Sequence, residues 1–175
     1  MKKLLATAGI LTLTACGGGS PSGPSTPTPA AAPNAVISAL GNGNLVIAPS
    51  KYTTWAYALR APIRVSEMSG GTAKWNYARI ALFIGSREVE RAEIGANDLA
   101  GTPDYSNITA RQDVPVALIF RLNSDTFDGI GLTLGFTDKK DGRVFTTTVP
   151  FNSFADVTVD ATPMANPRTQ VQALR

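Results

Sequence analysis

The chain has 175 residues, of which 17% are charged and 43% hydrophobic, a balance that fits one globular domain with appendages. Histidine is absent and cysteine occurs once, which removes the usual zinc ligands, a histidine general base and any intrachain disulfide. The formal charge of +3 comes from scattered basic residues that form no patch, so nucleic-acid binding has no support.

Met1-Lys2-Lys3 opens the chain, and an apolar run from Leu4 to Ala15 follows. A short positive region before such a run is the pattern of a secretory signal, and the run is too short to span a bilayer. Leu13-Thr14-Ala15-Cys16 closes it. These four residues resemble the lipobox of bacterial lipoproteins: an aliphatic residue, two small ones, then cysteine. The resemblance implies that residues 1–15 are removed and that Cys16, as the new first residue, carries a diacylglyceryl group. It makes the membrane a partner through the lipid anchor and places the protein in the cell envelope. Gly17, not aspartate, follows Cys16; likeness to sorted lipoproteins then implies the outer membrane if the envelope is Gram-negative. Loss of Lys2 and Lys3 leaves 14 basic against 13 acidic residues, a net charge of +1, so the whole-chain pI of 9.2 overstates the basicity.

Residues 16–34 read as the lipidated cysteine and a flexible Gly/Ser/Pro linker. The segment after Cys16, GGGSPSGPSTPTPAAAPN, has no large apolar residue and cannot bury a core.

The domain is expected over residues 35–160, with a C-terminal tail at 161–175. A short strand at Asn44 to Ala48 precedes Pro49. Trp55, Tyr57, Leu59, Ala61, Ile63 and Val65 then fall on odd positions while Arg60, Arg64 and Ser66 fall on even ones, a period of two that predicts a strand with one buried and one wet face. Pro62 predicts an edge strand, or a strand that breaks there and changes partner. Ser69-Gly70-Gly71 reads as a hairpin turn. The following strand carries Trp75 and Tyr77, then shifts phase to Ile80, Leu82 and Ile84, which predicts a bulge near Ala78-Arg79. Gly85-Ser86 fits a II′ turn into the polar strand Arg87-Glu88-Val89-Glu90-Arg91, expected at an edge. A long loop covers about Gly95 to Asp113. Strands then follow on Val116, Leu118, Phe120 and Leu122; on Ile130, Leu132, Leu134 and Phe136; across the polar hairpin Asp138-Lys139-Lys140-Asp141-Gly142 on Phe145, Thr147, Val149 and Phe151; and last on Val157 and Val159.

About seven to nine short strands with frequent turns and no convincing amphipathic helix predict an all-β fold, an immunoglobulin-like antiparallel β-sandwich, with a jelly roll or small β-barrel as alternatives. Val65-Ser66-Glu67-Met68-Ser69-Gly70-Gly71 resembles a strand–turn signature of Ig-like domains in uncharacterised bacterial secreted lipoproteins, and the Phe136–Arg143 hairpin is similar to theirs. That resemblance implies a fold and no activity.

Residues for catalysis are scarce: there is no Cys-His pair, Ser-His-Asp set or G-x-S-x-G elbow. The chain therefore reads as a non-enzyme without cofactor or metal. Asp138 to Gly142 carries two lysines and reads as a solvated hairpin tip, not a calcium loop. Asp125 and Asp128 read as turn residues, Glu67 as a surface or turn-stabilising carboxylate, and both tryptophans as core. The expected function is that of an envelope-anchored, non-catalytic binding or interaction module. The alternative is a structural accessory subunit of an outer-membrane or surface complex that docks by a strand edge, and a hydrolase is disfavoured. The partner would be an envelope protein, glycan or peptide. Long loops tend to carry function, so Asp98, Asp104, Tyr105 and Asn107 are the candidate binding residues. A loop of this kind should also tolerate shortening with the fold nearly intact.

Overall fold

The computed structural model describes residues 31–50, 54–101, 103–151, 157–159 and 170–174. The signal segment, Cys16 and the linker up to residue 30 lie outside the described residues. Among the described residues, eleven strands and one short helix follow in order: β1 (Ile37–Gly41), β2 (Leu45–Pro49), β3 (Tyr57–Glu67), β4 (Ala73–Ile84), β5 (Arg87–Gly95), α1 (Ala96–Leu99), β6 (Asn107–Ile108), β7 (Asp113–Leu122), β8 (Gly129–Asp138), β9 (Val144–Val149), β10 (Val157–Val159) and β11 (Gln170–Ala173).

They form two sheets. The first runs β10-β2-β3-β7-β11, with β1 also on β3; the second runs β5-β4-β8-β9, with β6 also on β4. Every pairing is antiparallel except β10 with β2. The fold is an all-β, immunoglobulin-like sandwich, and the two sheets are separate, which excludes a closed barrel. The strands beyond the expected seven to nine are short ones; β11 lies within the segment read as a tail.

The period-two residues meet between the sheets. Leu59, Ala61, Ile63 and Val65 of β3 and Val116, Leu118, Phe120 and Leu122 of β7 face Trp75, Ala78, Ile80 and Leu82 of β4 and Leu132, Leu134 and Phe136 of β8, in one buried cluster. Trp75 stacks on Phe136 at 5.8 Å between centroids, and Phe136 on Phe145 at 5.6 Å. The Trp75 indole N–H donates to the Tyr77 carbonyl at 2.9 Å, which satisfies the polar tip of a fully buried ring.

Several local expectations are corrected. Pro62 lies in a central strand: β3 pairs with β7 along its whole length, while its other side passes from β2 (residues 57–60) to β1 (residues 63–67). The Pro62 carbonyl accepts from Asn42 N–H at 2.9 Å on that side, so the missing donor falls in the gap between β2 and β1, where no ladder needs it. Thus the strand changes partner there without breaking. The turn at Ser69–Gly71 is a crossover between sheets and not a hairpin, because β3 and β4 belong to different sheets. The bulge in β4 sits at Asn76, between Trp75↔Phe136 and Tyr77↔Gly135, two residues earlier than expected. Trp55 is 37% exposed and precedes the ladder, which ends at the pair Pro49↔Tyr57; the alternation that assigned it to the core continues past the last paired residue. Other features are as expected. Gly85 has φ +59 at the first corner of the β4–β5 hairpin, as a II′ turn requires, and the charged β5 is an edge strand.

Candidate functional site

The segment from Gly95 to Asp113 is built into the domain. Leu99 and Ile108 are fully buried in the core. Trp75 N–H donates to the Ser106 carbonyl at 2.8 Å, Tyr105 N–H to the Leu99 carbonyl at 2.7 Å and Glu67 N–H to the Gln112 carbonyl at 2.9 Å. Shortening this loop would remove core residues, contrary to the expectation that the fold would tolerate it.

Of its four candidate residues, two are brought together. Asp104 Oδ1 accepts from Ser106 N–H at 2.7 Å, and Asn107 receives Lys139 Nζ on its Oδ1 at 2.6 Å while its amide reaches Asp104 at 3.5 Å and Ser106 Oγ at 3.1 Å. Hydrogen bonding from Ser106 above all, with smaller help from Asn107 and the nearby Lys139 charge, holds the Asp104 carboxyl below its ordinary range against the opposing effect of burial. Tyr105 turns inward and packs on the core; its hydroxyl is buried with no hydrogen-bond partner among the described residues, and burial pushes it up. Asp98 sits in α1. The Asp104–Asn107–Lys139 group satisfies itself, which suits a loop clasp more than an open ligand site.

The Val65–Gly71 motif is likewise committed to structure. Glu67 is 3% exposed. Its carboxylate accepts from the N–H groups of Val36 (3.1 Å), Ser69 (3.1 Å), Gly70 (2.7 Å) and Arg111 (3.0 Å), and from the Ser69 hydroxyl. Burial alone would push the carboxyl up; the donors outweigh it and hold it down to about 2. Arg111 takes φ +55, a left-handed conformation that costs a non-glycine residue free energy, and its N–H is one of these donors. At Gly71 a Cβ would stand 2.5 Å from Ala35 N, so only glycine lets the two chains pass. Asp138, expected at a solvated tip, is fully buried; it accepts from Ala35 N–H and Lys140 N–H, both at 2.9 Å. Asp128 accepts from Gly85 N–H at 2.8 Å, and Glu90 from Asn123 N–H at 2.8 Å and Ser124 N–H at 2.7 Å. Each carboxylate closes a turn. Among the described residues no three His, Cys, Asp or Glu side chains are grouped to hold a metal.

What remains uncommitted is the outward face of the second sheet. Its cross-strand rows follow from the register. One row is Thr146, Gly135, Tyr77 and Gly95; the next is Thr148, Thr133, Arg79 and Glu93. Beyond these lie Gly131, Ala81 and Arg91, then Gly129, Phe83 and Glu88. Glycine, alanine and threonine keep the relief low. The two aromatics lie along the sheet: a Cβ on Gly135 would clash with the Cδ1–Cε1–Cζ edge of the Tyr77 ring, and one on Gly131 would stand 3.5 Å from Phe83 Cε2. Arg79 rests its guanidinium 4.9 Å from the Tyr77 centroid and bonds Glu93 at 2.7–2.8 Å. Sequence reasoning missed this face. The signal was available in the odd-numbered glycines and threonines of β8, G-x-G-x-T-x-G-x-T from Gly129 to Thr137, which alternate with its core residues.

No family model, no curated protein and no solved structure matches this chain.

Proposed function

We propose that the chain is an envelope-anchored lipoprotein, tethered through Cys16, whose sandwich acts as a non-catalytic binding or interaction module. The observation that carries the binding reading is the outward face of the second sheet. It is accessible, it has low relief, and neither the core nor a turn uses its side chains, whereas the polar groups of the long loop are consumed internally. A rigid sheet of this kind presents a surface at little ordering cost. The anchor rests on the resemblance of Leu13-Thr14-Ala15-Cys16 to a lipobox. Two measurements test the proposal. Cys16→Ser should move the protein from the membrane to the soluble fraction, and mass spectrometry of the parent should show an acylated Cys16; a variant that stays in the membrane, with no acyl mass on the parent, overturns the anchor. A glycan and envelope-protein screen of the full-length chain should return a ligand whose binding is lost on Thr148→Glu.

A second reading, an accessory subunit of a larger envelope complex, is favoured by one feature. β9, Val-Phe-Thr-Thr-Thr-Val, is an end strand of its sheet and has no charge or proline, and such edges serve as templates for strand addition. Under this reading a stoichiometric partner co-purifies in detergent and is lost on Thr146→Lys.

A further inference from the structure

We infer that the outward face of the second sheet is a binding site for an uncharged polysaccharide chain laid across β4, β8 and β9. The inference deepens the binding-module reading above and rests on it. Three properties of the face select this ligand. The first is charge. The cation at its centre, Arg79, is neutralised by Glu93 at 2.7 Å, and Arg91 pairs with Glu88 at 2.8 Å, so the stretch from Tyr77 to Phe83 offers a charged partner no uncompensated charge; the exposed Lys74 stands one row beyond it, opposite Thr137. The second is the set of polar groups. Thr133, Thr146 and Thr148 are in adjacent rows, with Thr133 directly opposite Thr148; their hydroxyls make no hydrogen bond among the described residues, while that of Thr137 receives Asn76 at 2.8 Å. Free hydroxyls beside an exposed guanidinium–carboxylate pair donate and accept, as the hydroxyls of a sugar require. The third is shape. Phe83 lies along the glycines of β8, and a ring held flat offers a face to the apolar C–H side of a pyranose. Tyr77 lies six residues away on the same strand, about 20 Å at the usual rise per residue, so the face is long enough for an oligomer.

The glycines are what make this geometry. Gly135 is buried beneath Tyr77, and Gly129 would place a Cβ 3.1 Å from Phe83 Cβ. A side chain at either position would lift the ring off the sheet and turn a plane into a ridge.

The test uses the full-length chain in detergent with amorphous cellulose and chitin as probes, in a depletion assay. The expected result is retention on at least one of them, unchanged between low and high salt because no net charge is engaged. Phe83→Ala and Thr148→Glu should each reduce the bound fraction about tenfold, the equivalent of one lost good contact. Thr148 is at the exposed surface and its substitution leaves the fold alone, so the experiment stands even if Phe83→Ala melts early. Trp55→Ala, on a different part of the surface, should retain full binding. Retention that falls with salt, or that survives both face variants, overturns the inference. A photo-crosslinker at position 148 separates this failure from that of the wider reading. Absence of retention together with a crosslink to an envelope protein overturns the polysaccharide and keeps the binding module; absence of both overturns both.

Discussion

The two sheets have the same inner face and opposite outer faces. On the first sheet the outward residues Ala48, Ala58, Pro62, Ala117 and Ile119 are buried as fully as the core. On the second, Ala81, Gly131, Thr133 and Phe83 remain accessible and Thr146 and Thr148 are exposed. Both outer faces mix small residues with large ones, Arg60 and Arg64 on the first and Tyr77, Arg79 and Phe83 on the second, so residue size does not distinguish them; the accessibility of the small residues does. A small outward residue in a buried layer permits close packing, whereas in an open layer it keeps the surface flat. The first is a matter of stability and the second of recognition, and the following substitutions separate them.

The largest effect is expected at the end of the first sheet that Glu67 holds. Glu67→Gln keeps the shape but removes the charge that four N–H groups and a hydroxyl address, and charge-assisted hydrogen bonds contribute about 1.5–3 kcal/mol each. The sign of the pH dependence follows from the depressed pKa. Above the unfolded carboxyl value near 4.5 the stabilisation is fully present; as pH falls towards the folded value of about 2 it is lost, because the unfolded chain takes up the proton first. The parent should therefore lose stability below about pH 4.5, and the Gln variant should show a shallower acid limb. Amide exchange at Val36, Ser69, Gly70 and Arg111 should rise in acid before that of the β4–β8 ladder. Equal loosening of both sheets would show that Glu67 is not what fastens the first.

A matched pair reads the two outer faces directly. Ala117→Val adds two methyl groups where exposure is 0%, and overpacking of that kind costs about 1–3 kcal/mol. Ala81→Val makes the same change on the open face and should fall within about 0.5 kcal/mol of the parent, or gain slightly, since valine suits a strand better than alanine. Chemical denaturation measures both. Similar losses would mean that the second face is covered as well.

Gly135→Ala probes the flat face itself. Its methyl group would occupy the position of the Tyr77 ring, so the ring must move at a cost of about 1–2 kcal/mol. The near-UV circular dichroism, compared with that of Tyr77→Phe, and the melting temperature should change together. No shift in either would show that the ring is free to leave the sheet, and the flat face would then not be preorganised.

Much of the sandwich was legible in the sequence because alternation reports burial on one face. Leu59 to Val65 and Val116 to Leu122 could be assigned inward from their spacing alone. Alternation is silent about what lies beyond the outward face, which is why Arg60, Arg64 and Ser66 suggested a wet face around residues that are in part buried. It is silent also about where a ladder stops, hence the misplaced Trp55, and about which sheet the next strand joins, hence the crossover at Ser69–Gly71. The candidate site was harder still. A run of polar residues between two strands looks like a ligand loop, but Leu99 and Ile108 tie it down from within, and only the tertiary contacts reveal that its amides and carboxylates answer one another. In contrast, the open face is spread over β4, β5, β8 and β9, and no contiguous stretch contains it.

The smallest effect is expected at the Arg79–Glu93 pair. Its side chains are 40% and 42% exposed, and water screens such a pair, so a coupling of about 0.2–1 kcal/mol is expected from a double-mutant cycle. Geometry favours the upper part of that range. Arg79 Nε and Nη2 both reach Glu93 Oε2, at 2.8 and 2.7 Å, and the guanidinium is held over Tyr77, so less side-chain freedom is lost when the pair forms. Arg79→Ala and Glu93→Ala should each change stability by less than about 1 kcal/mol, and the coupling should shrink as salt rises. The consequence for the comparison of faces lies in the imbalance each variant creates. Glu93→Ala leaves Arg79 uncompensated at the centre of the face, and Arg79→Ala leaves Glu93 so. If the face is used because it is neutral, either single variant should gain a salt-dependent retention on a polysaccharide of the opposite charge that the parent lacks, while the double variant should not. A coupling of zero with no such dependence would reduce the pair to incidental surface charges and leave the threonines and aromatics as the only determinants of that face.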